Sequence, residues 1–207
     1  MKKLFTILCA AVLTLSMSAQ TQYGVVGGLN IASVSGSDLD DMYEYQAFIN
    51  GLSYDGLSTR LGIRLGMSAD LALSDAVTLK TGVLYSVKGY SGVMGGVDFD
   101  QSLNYIELPV NFSFAISDQF SLMGGFYSAF LVGTSLTVDG KDEPADTDGM
   151  SAIDVGIGLG AEISVSDAIS INAGYQMGLT SLDEDGDTDV KTSNILIGMT
   201  YSFGGGY

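Results

Sequence analysis

TRLGIRLGMSADLAL, residues 59–73, is the stretch on which the reading of this chain turns. Leu61, Ile63, Leu65, Met67, Ala69, Leu71 and Leu73 fall on one parity, and Arg60, Gly62, Arg64, Gly66, Ser68, Asp70 and Ala72 on the other. Alternation of period two makes a β-strand with one apolar and one polar face. From Leu61 to Leu71 the apolar stripe takes ten residue steps. At about 3.3 Å per step and a tilt near 45° it rises roughly 23 Å, the height of the lipid-facing band of a membrane barrel.

This strand runs straight into LSDAVTL (73–79), and the phrase returns as ISDQFSL (116–122) and VSDAISI (165–171), 43 and 49 residues apart. Each copy is a Ser-Asp turn that opens a fresh alternating run. A phrase repeated at such a period marks one supersecondary unit used again, here a β-hairpin closed by a very short turn. The parity test predicts eight strands, over 23–34, 59–73, 77–88, 104–114, 120–137, 153–165, 169–179 and 195–203. Between the short turns lie longer Gly-, Ser- and acid-rich stretches. The expected fold is all-β, an eight-stranded antiparallel up-and-down transmembrane β-barrel with short periplasmic turns and long acidic extracellular loops. Its first strand closes on its last, because an open edge would leave backbone groups unpaired in lipid.

A soluble lipocalin-like barrel is the rival, with the apolar parity turned inward around a ligand. The polar parity argues against it, being mostly Gly, Ser, Thr and Asn. Such residues are too small to cover the outside of a soluble barrel and fit a narrow lumen filled by side chains. The same parity carries Arg60, Arg64, Lys80 and Lys88 together with Asp70, Glu107, Asp154 and Glu162. Unpaired buried charge is costly, so these eight are expected to form interior salt-bridge networks centred on Arg64 and Glu107. They are read as structural, with a proton or ion path as the sharper alternative. Phe112, Phe114, Phe120, Tyr201, Phe203 and Tyr23 gather at the short-turn level, as an interfacial aromatic girdle does.

The segment MKKLFTILCAAVLTLSMSAQ pairs two lysines with a short apolar run and small residues up to Ala19. It reads as a secretory signal peptide over 1–19, with the barrel domain over 20–207. No other segment approaches the roughly 20 apolar residues of a spanning helix. Cys9 lies inside the leader, so no disulfide framework or thiolate chemistry is expected of the mature chain. Removing Lys2 and Lys3 leaves six basic residues against 24 acidic ones, a net charge of −18. Nucleic acid is therefore not an expected partner.

NYIELPVNFSF, residues 104–114, resembles the Tyr-hydrophobic-Glu-hydrophobic-Pro pattern of the PorT-like outer-membrane β-barrel family of Bacteroidetes, through Tyr105, Glu107 and Pro109. The Ala19-Gln20 end of the leader is also similar to those of that group. The resemblance implies an eight-stranded outer-membrane barrel and, for the founding member, a part in a secretion machinery. Pro109 lacks a ladder donor and is expected to mark a bulge or bend.

The chain has no histidine, and no convergent set of carboxylates, lysines or tyrosines stands out for acid–base work. No catalytic, cofactor-binding or metal set is expected. SLDEDGDTDVK (181–191) has alternating aspartates but carries Thr188 where a calcium loop needs glycine and lacks the closing glutamate. Acid density there and in DGKDEPADTDG (139–149) allows loose divalent-cation contacts. The expected partners are outer-membrane lipid and protein or divalent-cation contacts through the loops. The expected function is a structural or surface-interaction role in the outer membrane; the alternatives are a small transport or channel protein, or an accessory of a secretion complex.

Overall fold

Alternating strands with exposed apolar parity can satisfy their backbones only by pairing in a ring. The computed structural model, which describes residues 21–184 and 189–203, shows that ring. The elements are β1 (Thr21–Ser35), α1 (Ser37–Asn50), β2 (Tyr54–Ser58), β3 (Arg60–Ala72), β4 (Val77–Met94), β5 (Val97–Ala115), β6 (Phe120–Val138), β7 (Lys141–Glu143), β8 (Ile153–Ser164), β9 (Ile169–Gly178) and β10 (Lys191–Phe203). Eight of the strands form the ring, each pairing antiparallel with its neighbours, and β1 closes on β10 from Tyr23↔Phe203 to Ser35↔Lys191, while β2 and β7 pair outside the ring with β4 and β6. The signal peptide expected over 1–19 lies outside the described residues.

The parity assignment places apolar side chains on the outer surface of the barrel. Leu61, Ile63, Leu65 and Met67 of β3, Leu122, Phe126 and Phe130 of β6, and Ile195, Ile197 and Met199 of β10 are all exposed. Leu71 of β3 and Val87 of β4 depart from this parity and are buried. A soluble barrel with these faces reversed is thereby overturned. Tyr23 pairs directly with Phe203, and both are exposed with Tyr201, Phe112 and Phe114 toward the short-turn end.

All three short turns share one geometry, which explains the repeated phrase. In each, the serine hydroxyl oxygen accepts the backbone N–H three residues on: Ser74 from Val77 at 3.1 Å, Ser117 from Phe120 at 3.1 Å and Ser166 from Ile169 at 3.2 Å. The residue before each serine donates its N–H to the carbonyl that ends the turn, at 2.9, 2.9 and 2.8 Å. A local hydroxyl bond of this kind stabilises a turn without needing partners elsewhere.

At the opposite end the structure corrects three expectations. The region from Gly89 to Ser102, expected as an acidic loop, is a continuation of β4 and β5 to a two-residue turn at Gly95 and Gly96. Both glycines have positive φ, 61° and 76°, as the tightest hairpin turn requires. Asp139 and Gly140 (φ 50° and 73°) close the β6–β7 hairpin the same way. The first acidic stretch holds α1 rather than a loop, ended by Gly51 in the left-handed conformation. Pro109 makes no bulge: its register with Tyr127 is regular, whereas the β4–β5 ladder is interrupted between Thr81↔Val110 and Leu84↔Glu107 without a shift. The missing proline N–H costs pairing on one side only. The β5–β6 register shift lies instead between Asn104 and Tyr105.

Candidate functional site

The lumen is built asymmetrically. Its β8–β9–β10–β1 wall carries Gly156, Gly158, Gly160, Gly174, Gly178, Gly198 and Gly28 on the inward parity, and the β3–β4–β5–β6 wall carries Arg64, Lys80, Lys88, Tyr105, Glu107 and Tyr127. The bare wall is what makes room. A Cβ on Gly156 would lie 2.5 Å from the Tyr127 ring, and one on Gly178 would lie 3.0 Å from a carboxylate oxygen of Asp154.

From the short-turn end upward the charges meet in separate groups. Lys80 bridges Asp70 at 2.7 Å and Glu162 at 2.8 Å, and Ser170 donates its hydroxyl to Glu162 at 3.1 Å. Two small cavities of about 60 and 80 Å³ share Arg64, Asn111, Met123 and Asn172 in their linings, and the larger is also lined by Asp70, Lys80 and Glu162. At mid-height Arg64 binds Glu107 at 2.6 Å, and Gln176 donates to the same carboxylate oxygen at 3.1 Å. Lys88 lies 3.9 Å from the other Glu107 oxygen and 2.9 Å from Asp154. Lys88, Glu107 and Asp154 are all essentially removed from solvent.

Two tyrosines complete this level. The Lys88 ammonium sits 4.1 Å from the Tyr127 ring centroid and 5.3 Å from that of Tyr105, so aromatic faces supply the solvation that burial removes. Asp154 accepts hydroxyl hydrogens from Thr192 at 2.9 Å and from Tyr127 at 3.2 Å. The same two rings join Leu103 and Ala129 in an apolar cluster packed on by Leu131, Met150 and Leu182. The mid-lumen is thus closed by paired charge and by apolar side chains.

Arg60 departs from the expected company. It pairs with Asp100, whose other oxygen accepts from Ser91 at 2.9 Å. Asp100 was expected in a loop, and it becomes available because β5 continues beyond the lumen as a strand. Among the family-pattern residues, Tyr105 packs on Lys88, Glu107 joins Arg64, and the Pro109 carbonyl accepts the Thr81 hydroxyl at 2.8 Å. Tyr127, Gln176 and Thr192 were not singled out from the sequence. Tyr127 stands on the inward parity of β6 with Met123 and Leu131, the residues that made that strand irregular, and this irregularity was the available signal.

The outer rim is the second candidate site. Helix α1 is moored to the sheet extension by Tyr43, which stacks on Phe99 at 5.0 Å and on Tyr54 at 6.1 Å. Asp40 accepts from the Tyr54 hydroxyl at 2.6 Å and from the Leu57 N–H at 3.2 Å, and Asp38 accepts the Asp189 N–H at 2.7 Å. Burial and the Asp40 carboxylate together raise the Tyr54 phenol well above its ordinary pKa. Among the described residues no group of three or more His, Cys, Asp or Glu is placed to hold a metal. The aspartate-rich loop 181–191 falls partly outside the described residues, at 185–188.

Comparison with known proteins supports the architecture. The family model described as outer membrane protein beta-barrel domain matches residues 5–203. Among solved structures, Neisserial surface protein A is 16% identical with a TM-score of 0.56, covering 87% of this chain and 97% of its own. The attachment invasion locus protein Ail of Yersinia pestis is 16% identical at a TM-score of 0.49, over 89% and 99%. OprG from Pseudomonas aeruginosa is 13% identical at 0.42, over 89% and 97%. No match is found among curated proteins.

Proposed function

This chain belongs to the outer membrane protein beta-barrel domain family, and from that premise we propose that it is a closed surface-interaction barrel whose work is done at its extracellular rim. It resides in the outer membrane with its apolar belt in lipid. The observation that carries the reading is the mid-lumen closure by Arg64, Glu107, Lys88 and Asp154 with the apolar cluster of Leu103, Tyr105, Tyr127 and Ala129. Eight strands enclose an interior that side chains can fill. Opening it would separate these ion pairs and unpack the apolar cluster. The lumen charges accordingly serve as structure rather than as a path.

The test is single-channel recording on purified protein in a planar bilayer. No steady conductance is expected; a steady conductance lost in Glu107→Gln would overturn the closed reading in favour of a channel. The Tyr105-Glu107-Pro109 pattern, similar to the PorT-like group of Bacteroidetes, favours a second reading as an accessory of a secretion complex. Co-purification in mild detergent tests that one, and a chain always recovered alone refutes it.

A further inference from the structure

Helix α1 turns one stripe away from solvent, the half-buried Leu39 and Tyr43 and the buried Ala47, with Tyr43 stacked on the sheet extension. A second stripe runs along its outer side at the same helical spacing: Met42, Tyr45 and Ile49, joined by Phe48 and, just past the helix, Leu52. All five are exposed, Phe48 to 80% and Tyr45 to 63%. An ordinary surface helix has one apolar stripe and a polar opposite face. Here the opposite face is apolar too, and Asp38, Asp41 and Glu44 stand exposed along it. From Gly36 to Thr59 the chain has five acidic residues and no basic one.

We propose that this outer stripe of α1 is the docking site of a cationic amphipathic protein segment, one that presents an apolar strip flanked by Lys or Arg. Contiguous exposed apolar side chains with Tyr, Phe and Met are the composition of an interface centre, and charges at its edge select the partner by sign. The helix is held rigid by the Tyr43 stacks and the Asp40 and Asp38 hydrogen bonds, so little ordering is lost on binding. A second copy of this chain would bring like charges to the same place. An anionic lipid or glycan surface would be repelled in the same way.

This assignment rests on the reading of the barrel as a surface-interaction protein and names the partner's chemistry. The full chain in phosphatidylcholine nanodiscs is titrated with a 14-residue helical peptide of Leu and Lys, with its Glu-for-Lys counterpart, and with empty nanodiscs as the reference. Saturable binding of the Lys peptide alone is expected. Phe48→Ser should weaken it by about tenfold or more, as the loss of a central aromatic does. Asp41→Asn with Glu44→Gln should weaken it and remove its salt dependence. Ile49→Ser provides a second variant, and gel mobility checks that each barrel folds. Equal affinity for the parent and these variants, or equal binding of the Glu peptide, overturns the assignment. So does a Phe48→Ser effect confined to dimer mass or to partition onto anionic vesicles. Steady conductance of the parent in a planar bilayer refutes the closed-barrel reading whatever the peptide does; a silent barrel with variant-insensitive binding refutes only the helix site.

Discussion

Replacing Lys88 by Met leaves the buried Asp154 carboxyl with hydroxyl donors but no cation. The lost contact is 2.9 Å between Nζ and Oδ2. At that separation the Coulomb term is about 6 kcal/mol for an effective dielectric constant of about 20. Much of it only offsets desolvation, so the measured loss for breaking one side of a buried pair is about 3–5 kcal/mol. In Lys88→Met/Asp154→Asn no charge is stranded at this pair, and Glu107 keeps Arg64 at 2.6 Å. The double variant should therefore lose less than the sum of the single losses. The assay is urea unfolding of the refolded barrel in detergent micelles, read by circular dichroism and by the gel mobility of unheated protein, since the chain has no tryptophan to follow. With a slope of about 2 kcal/mol per molar urea, Lys88→Met should lower the midpoint by about 2 M. A single variant with the parent's midpoint refutes the reasoning, as does a double variant whose loss is simply additive.

Three further outcomes follow from the same geometry. Leu65→Arg, on the exposed apolar parity of β3, should cost about 2–4 kcal/mol in phospholipid as a lipid-facing charge does, checked by the same titration in bilayers. Gly156→Ala should destabilise the barrel by about 1–3 kcal/mol, because its Cβ would lie 2.3 Å from the Met177 carbonyl oxygen, whereas Gly27→Ala, whose nearest neighbour is 4.0 Å away, should leave the midpoint unchanged. The Tyr54 phenol is held neutral in the fold, by burial first and then by Asp40. Its raised pKa stabilises the α1 mooring fully below the ordinary tyrosine value of about 10 and loses that contribution as pH climbs through the higher folded value. Protease cleavage within 36–59 should accordingly accelerate above about pH 10, and Tyr54→Phe should remove that acceleration.

The barrel was legible from Leu61 to Leu73 because period-two alternation is local and lipid forbids unpaired backbone, so parity alone orients each strand. The three short turns were legible because Ser74, Ser117 and Ser166 each make their bond within three residues. The rim was not legible for the converse reason. Above the lipid a strand no longer needs an apolar face, so Gly89–Met94 and Val97–Ser102 lost their alternation and read as loop. The Gly95-Gly96 and Asp139-Gly140 pairs were the surviving turn signals. In α1 the acidic residues hid two apolar stripes, Leu39-Tyr43-Ala47 and Met42-Tyr45-Ile49, although Gly51 offered a clear stop. The inward charges could be listed from parity, but which of them meet depends on strand stagger. Arg60 therefore found Asp100, a residue the loop reading had removed from consideration.

The strands differ in length around the ring: β4, β5 and β6 have 18, 19 and 19 residues, and β9 has 10. Nine more residues than β9 give β5 about 30 Å of extra strand, or roughly 20 Å of height at a 45° tilt. The molecule thus stands in the membrane like a chair, with a back on one side and a low seat on the other. It has a front, and a large object arriving in the plane of the membrane meets a parapet or a threshold depending on its bearing. An epitope tag inserted between Gly95 and Gly96 would be carried at the top of that parapet, clear of the lipid headgroups. One inserted beside Leu179, just past the end of β9, would sit low and be shaded by its own barrel.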